Sequence, residues 1–223
     1  MQLILDTGNV EEIRELHSKL VIDGVTTNPS IVAGEKKNFL KLIMEIDEIV
    51  GEATAIHAQV LSTKYEDIID EALFISKLRK NMYVKIPVTG DGFRAIKDLK
   101  KQGIKITATA IFTAHQGFLA AKAGADYVAP YVNRLDNISA DGVGTVRDLV
   151  NIINTYHMDT KVLAASFKNA QQVLELMKIG VHSITAPADI IKAMMGHPLT
   201  DWSVAKFIED WENEFGKGTK TNR

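Results

Sequence analysis

Eight short apolar, β-branched runs alternate with stretches of helical period along the chain, glycines sit just ahead of some of the runs, and no linker breaks the series. These observations predict an α/β chain folded as a single parallel (β/α)₈ barrel, the TIM-barrel architecture, with an extra C-terminal helix. A doubly wound open sheet is the structural runner-up, but the glycine fingerprint it would carry after its first strand is missing from "DTGNVEE". "DGVGT" at Asp141 has no strand before it and reads as a loop or helix start.

The runs are "QLILD" from Gln2, "GVTT" from Gly24, "ATAIHAQV" from Ala53, "MYVKIPV" from Met82, "IKITATAI" from Ile104, "DYVAPYV" from Asp126, "TKVLAAS" from Thr160 and "VHSITA" from Val181. Asn9 to Leu20 reads as a helix with Val10, Ile13, Leu16 and His17 on one face. Tyr65 to Leu78 reads as another, with Ile68, Ile69, Ala72, Leu73 and Ile75. Further helices are expected from Gly92, Thr113, Val143, Asn169 and Ala188. In "GIKIT" and "AGADYV" the glycine closes a helix ahead of the next strand.

Beyond the barrel (1–199), "TDWSVAKFIEDWENEF" predicts a ninth helix over 200–216. Trp202, Ala205, Ile208, Trp211 and Phe215 fall on one face. That face packs either across the barrel's own end or on a neighbouring subunit. The polar tail, 217–223, is expected to be disordered.

Composition narrows the function. In 223 residues, 46% are apolar and 24% charged, and 26 Lys and Arg against 28 Asp and Glu give a net charge of −2. Near-neutrality argues against nucleic acid or an anionic membrane as partner. The absence of cysteine excludes disulfides, thiolate catalysis and cysteine-ligated metal. The first residues lack the basic and long apolar regions of a signal peptide, and no segment approaches a membrane span, so a cytoplasmic location is expected. The six histidines form no HxH or HExxH spacing, which leaves a metal site with little support.

In such barrels catalytic groups lie at the carboxyl ends of the strands. Each predicted strand ends in polar residues: Asp6; Thr26, Thr27 and Asn28; Gln59; Lys85; Thr109; Tyr131, Asn133 and Arg134; Ser166 and Lys168; Thr185 and Asp189. Part of this is ordinary capping, for which Asp6, Asn28 and Thr113 are candidates. Lys85 is different. Lys105 and Lys161 begin their strands, where an amine reaches water, whereas Lys85 lies late in an apolar one. Its bland role is an ion pair with Asp6 or another acid. Its functional role follows from burial, which disfavours the ammonium and leaves a nucleophilic amine able to form a Schiff base.

"GVTTNPS", "VKIPVT", "YVAPYVNRLD" and "VLAASFKN" resemble the small transaldolase family, most of all its fructose-6-phosphate aldolase branch, over nearly the whole chain. The resemblance implies a class I aldol enzyme without metal or organic cofactor. It makes Lys85 the Schiff-base lysine and Asp6 the acid near the reacting hydroxyls. Thr26, Asn28 and Thr109 contact the sugar chain or a catalytic water, and Gln59 and Tyr131 hold that water. Arg134, Ser166 and Lys168 bind the substrate phosphate, and Ala129 keeps the pocket small.

The implied leading reaction is cleavage of fructose 6-phosphate to dihydroxyacetone and glyceraldehyde 3-phosphate. The alternative is transaldolase transfer of the dihydroxyacetone unit between sugar phosphates. The transaldolase branch typically carries glutamate and phenylalanine where this chain has Gln59 and Tyr131, which favours the aldolase pattern. A phosphosugar-binding barrel with Lys85 in a structural ion pair is the non-enzymatic reading. Thr107, on the same strand face as Thr109, departs from the apolar residue common in the aldolases, and His57 reads as a satisfied core histidine. Family members form rings of five, often stacked as decamers, so a homo-oligomer is expected.

Overall fold

The computed structural model describes residues 1–222 and shows a closed barrel of eight parallel strands in the order β1 to β8. The chain opens with β1 (Gln2–Asp6), α1 (Val10–Lys19) and β2 (Gly24–Thr26), followed by two helices, α2 (Pro29–Gly34) and α3 (Phe39–Val50). Then come β3 (Ala55–Gln59), α4 (Tyr65–Ser76), β4 (Met82–Pro87), α5 (Gly90–Lys101), β5 (Ile106–Ile111) and α6 (Ala114–Lys122). β6 (Tyr127–Pro130) leads through a short α7 (Val132–Asp136) into α8 (Gly142–Thr155). β7 (Lys161–Ala164), α9 (Ala170–Ile179), β8 (Ser183–Ala186) and α10 (Ala188–Met195) close the barrel, and α11 (Pro198–Phe215) follows it.

The strands read as continuous apolar runs because both of their faces are buried. Leu5, Val25, Ile56, Val84, Ile86 and Val128 face the helix layer. There they meet Ile13 and Leu16 of α1, Ile96 and Leu99 of α5, Leu149 of α8 and the matching faces of the other helices. The opposite parity fills the barrel, where Ile4, Tyr127, Ala129 and Leu163 form a separate small cluster with Tyr83. Caps fix the helix entries: Asn9 accepts the N–H groups of Glu11 and Glu12, Thr113 that of Gln116 and Asn169 that of Gln172. Gly103 (φ 76°) and Gly124 (φ 102°) take left-handed conformations just before β5 and β6, as the sequence predicts.

The departures have local causes. Two helices separate β2 from β3, where no bounds were expected. Asn28 followed by Pro29 starts one, and Asn38 caps the second. α11 begins at Pro198, two residues before the expected Thr200, because proline at the first helical position supplies its φ in advance. No residue of α11 is buried, and Trp202 and Phe207 are 64% and 70% exposed, so the helix does not pack across its own barrel end. The described part of the tail beyond it turns back on the helix. Gly216 (φ 97°) reverses the chain, Trp211 Nε1 donates to Thr219 Oγ1 at 3.1 Å, and the Gly218 N–H donates to Glu212 Oε1 at 2.8 Å. The last tail residue, 223, lies outside the described residues.

Gly124 has both a left-handed φ and a crowded site, since a Cβ there would lie 2.8 Å from Lys100 Cγ. Gly124→Ala is therefore expected to cost about 1–2 kcal/mol. The check is equilibrium unfolding in urea, and an unchanged midpoint would contradict the strain.

Candidate active site

Strand register assembles the site. Asp6 pairs with Thr26, Gln59 with Lys85, Lys85 with Thr107 and Pro87 with Thr109, which stacks their inward side chains near the carboxyl rim. Between Ala108 and Ile111 the β5–β6 register shifts, with Ala110 at φ 57°. This bulge breaks the alternation next to the site, a common way to re-aim a side chain. Beside it, Thr109 Oγ1 and Tyr131 Oη lie 3.2 Å apart.

A cavity of about 130 Å³ opens at this rim, and Lys85 forms part of its wall. Lys85 is only 6% exposed, and its Nζ donates to the carbonyl oxygen of Thr27 at 2.7 Å. No carboxylate lies within salt-bridge distance of it among the described residues, so the structural ion-pair role is absent. Burial pushes the amine below the ordinary lysine range, opposed in part by the charge of Asp6. Asp6 is itself held in place: Oγ1 of Thr26 donates to its Oδ1 at 2.7 Å and lies 2.6 Å from Thr185 Oγ1.

Of the predicted residues, Asp6, Thr26, Asn28, Thr109, Ala129, Tyr131, Arg134 and Ser166 line the cavity with Lys85. Asn28 also caps α2, accepting the Ile31 N–H at 3.0 Å. Asp6 is not a cap, since Asn9 starts α1. The Arg134 guanidinium lies over the Tyr131 ring at 4.6 Å, which directs a cation toward the mouth. Ser166 adopts φ 65°, strained for a residue with a side chain, and its carbonyl oxygen accepts the Asn133 N–H at 2.7 Å. That bond ties the start of α7 to the end of β7.

Two predicted residues do not join the set. Gln59 ends β3 and lines a neighbouring apolar pocket of about 450 Å³ between α2 and α4, and its Oε1 is buried without a hydrogen-bond partner. Lys168 is exposed, beyond the buried Phe167 that anchors the loop. Three further residues line the cavity: Thr185, placed at the rim by the sequence but given no role, and Leu163 and Ala165, which it did not single out. Thr185 had a signal in its place at the end of β8. The two apolar ones were invisible to a search for polar rim groups.

A desolvated amine, a carboxylate with a fixed orientation, hydroxyls and a guanidinium at one barrel mouth define a candidate site for carbonyl chemistry on a polar, anionic small molecule. Comparison with known proteins agrees at the level of family. Residues 3–222 match the model of the transaldolase/fructose-6-phosphate aldolase family, and the chain belongs to that family. It is 46% identical over 211 residues to a probable transaldolase of Thermoanaerobacter sp. (strain X514), covering 95% of this chain and 97% of the relative. It is 44% identical over 219 residues to a probable transaldolase of Kosmotoga olearia, covering 98% and 99%. The fold also resembles solved structures of a thiamine phosphate pyrophosphorylase from Pyrococcus furiosus (TM-score 0.58, 19% identity, 86% and 91% of the two chains) and of native KDPGal (TM-score 0.59, 14% identity, 85% and 84%). The chain is thus an enzyme of the transaldolase/aldolase family on an eight-stranded barrel.

The lowered Lys85 pKa carries a sign for stability. The unfolded chain holds a proton on this amine up to about its ordinary 10.5, while the folded one releases it earlier. Folding is therefore opposed by this group at neutral pH, and the opposition fades as pH rises toward 10.5. Lys85→Met is expected to raise the urea midpoint at pH 7, with the gain shrinking at higher pH. A gain that does not vary with pH would contradict the depressed amine.

Proposed function

We propose that the protein is a Schiff-base enzyme acting on ketose phosphates. The observation that carries this reading is the buried Lys85 amine, without a salt-bridge partner among the described residues, in the wall of a polar cavity. Neutral Nζ attacks the substrate keto carbon, and uptake of one proton with loss of water from the carbinolamine leaves a protonated imine. Asp6 is placed to supply and remove protons at the reacting hydroxyls. The imine accepts the electron pair of the adjacent carbon–carbon bond as the C4 hydroxyl proton departs, which releases an aldose phosphate and leaves an enamine on Lys85. Arg134 and Ser166 receive the phosphate at the mouth; Lys168 is exposed and would join them only by closing over the substrate.

The fate of the enamine divides two readings. Attack on an aldose phosphate acceptor is transaldolase chemistry. The names of the relatives support this better than the lyase reading that the residue pattern suggested. Protonation and hydrolysis release dihydroxyacetone, as in fructose-6-phosphate aldolase. Tyr131, with its hydroxyl beside Thr109, favours that second reading because it places a proton donor at the cavity wall. Gln59, facing the other pocket, lends it less support.

Borohydride reduction with dihydroxyacetone is expected to add mass to the peptide containing Lys85, and an adduct elsewhere or none would refute the reading. Turnover of fructose 6-phosphate with and without erythrose 4-phosphate separates the two fates. Transfer requires the acceptor, and release of dihydroxyacetone does not.

We also propose that α11 packs on a neighbouring subunit of a ring-like homo-oligomer. Its exposed Trp202, Phe207 and Ile208 support this, since an apolar helix face of this kind needs cover. Removing the residues beyond Leu199 is expected to reduce particle mass in light scattering at least two-fold. Unchanged mass would refute the packing.

A further inference from the structure

His57 and Thr107 are both 0% exposed, inside the barrel, with His57 Nδ1 2.8 Å from Thr107 Oγ1. Register shows where this bond runs. His57 of β3 is level with Tyr83 of β4, and Thr107 of β5 is level with Lys85 of β4. The bond therefore crosses the inner face of β4 between Tyr83 and Lys85. Below it, the His57 ring stacks on Tyr83 (centroids 4.7 Å, planes 12° apart) and meets Tyr127 edge-on at 5.3 Å. Lys85 is the next residue of β4 with the same inward parity on the rim side.

A barrel interior can be filled with apolar side chains at no polar cost. Here a buried imidazole is kept although its Nε2 has no hydrogen-bond partner, an arrangement that ordinarily destabilises. We propose that the His57–Thr107 hydrogen bond is a positioning strap that fixes the stem of Lys85 and closes the barrel interior beneath its amine against water. The inference rests on Lys85 being the reacting amine. It makes His57 and Thr107 positioning residues, acting on substrate only through Lys85.

The surrounding charges fit this role. The titratable and charged groups around Lys85 are Asp6 from β1, His57 from β3, Tyr131 after β6 and Arg134 from α7, with Tyr83 and Tyr127 beneath the strap. Burial, with the charge of Lys85 when present, pushes His57 down to about 3, so the imidazole stays neutral near pH 7. Burial pushes Tyr83 and Tyr127 up, the latter to about 12, so both phenols are neutral as well. The strap thus adds no counter-charge that would favour an ammonium.

The test reads the amine directly. Isocyanic acid, the protonated form of cyanate, carbamylates neutral amines, so the rate of mass addition at Lys85 against pH, divided by the fraction of cyanate in that form, gives the ionisation midpoint of that residue without any substrate. Thr107→Ala breaks the strap and opens space for water. Its midpoint is expected to rise by about one pH unit, a roughly ten-fold slower modification below the midpoint. Thr107→Ser restores the hydroxyl and should return the midpoint to the wild-type value. Thr107→Val removes the hydroxyl at nearly constant volume and should move the midpoint the same way by a smaller step, which covers the case of an alanine variant that does not fold. Wild-type midpoints in the folded alanine and valine variants, or a serine variant shifted as far as alanine, would overturn the strap. If the variants give this pattern with cyanate while the wild type gives no borohydride adduct with dihydroxyacetone, the Schiff-base reading is refuted and only the effect of the hydrogen bond on the amine stands.

Discussion

The Lys85 amine lies out of water at the carboxyl end of β4, held by the carbonyl oxygen of Thr27 and, among the described residues, by no carboxylate. An ammonium there would lose its hydration for one backbone hydrogen bond, so the neutral form is favoured. The rest of the barrel can be understood from that constraint. A closed sheet with helices on its outer face gives a dry interior without an edge, and late strand positions give the amine access to a mouth open to ligands. Asp6 shows the balance involved. It is near enough to pull the amine back toward its charged form, yet its carboxylate is tied up by Thr26 and does not pair with Lys85.

The strands were legible because burial on both faces leaves an unbroken β-branched signal, and each of the eight lies within the run that predicted it. Glycine before β5 and β6 was legible for the same kind of reason, since only a residue without a side chain enters that conformation freely. The helices between β2 and β3 are less legible: Asn28–Pro29 and Asn38 are ordinary start signals, but the first helix is short and has no buried face to give it a helical period.

The site was legible where a residue's type clashed with its surroundings. Lys85 in an apolar strand is such a clash, and Thr107 is another. The sequence offered no partner for Thr107 because His57 is fifty positions away, on a strand that does not adjoin its own. Strand parity places a side chain inside the barrel but does not say which cavity it enters. Gln59 has the inward parity of His57 and still turns to the pocket beside α2, while Lys168 follows a strand end yet faces solvent. Leu163 and Ala165 shape the mouth without polar chemistry, so only coordinates identify them.

The same reasoning bears on why one scaffold can serve both transfer and cleavage. In the proposed reaction either outcome would begin with an enamine on Lys85, and the choice would depend on whether a proton or an acceptor aldehyde reached it first. Proton supply is set by hydroxyls at the wall, here Thr109 and Tyr131, with the Tyr131 ring fixed from one side by Phe112 at 5.4 Å and overlaid by Arg134. Acceptor supply is set by the mouth, where Arg134 and Ser166 would bind an anionic aldose. Arg134, which rests on the phenol ring, would therefore touch both controls if it received the incoming phosphate as proposed. A phosphate that drew the guanidinium off that ring would alter proton delivery and acceptor binding together, which would couple the two proposed fates through a single side chain.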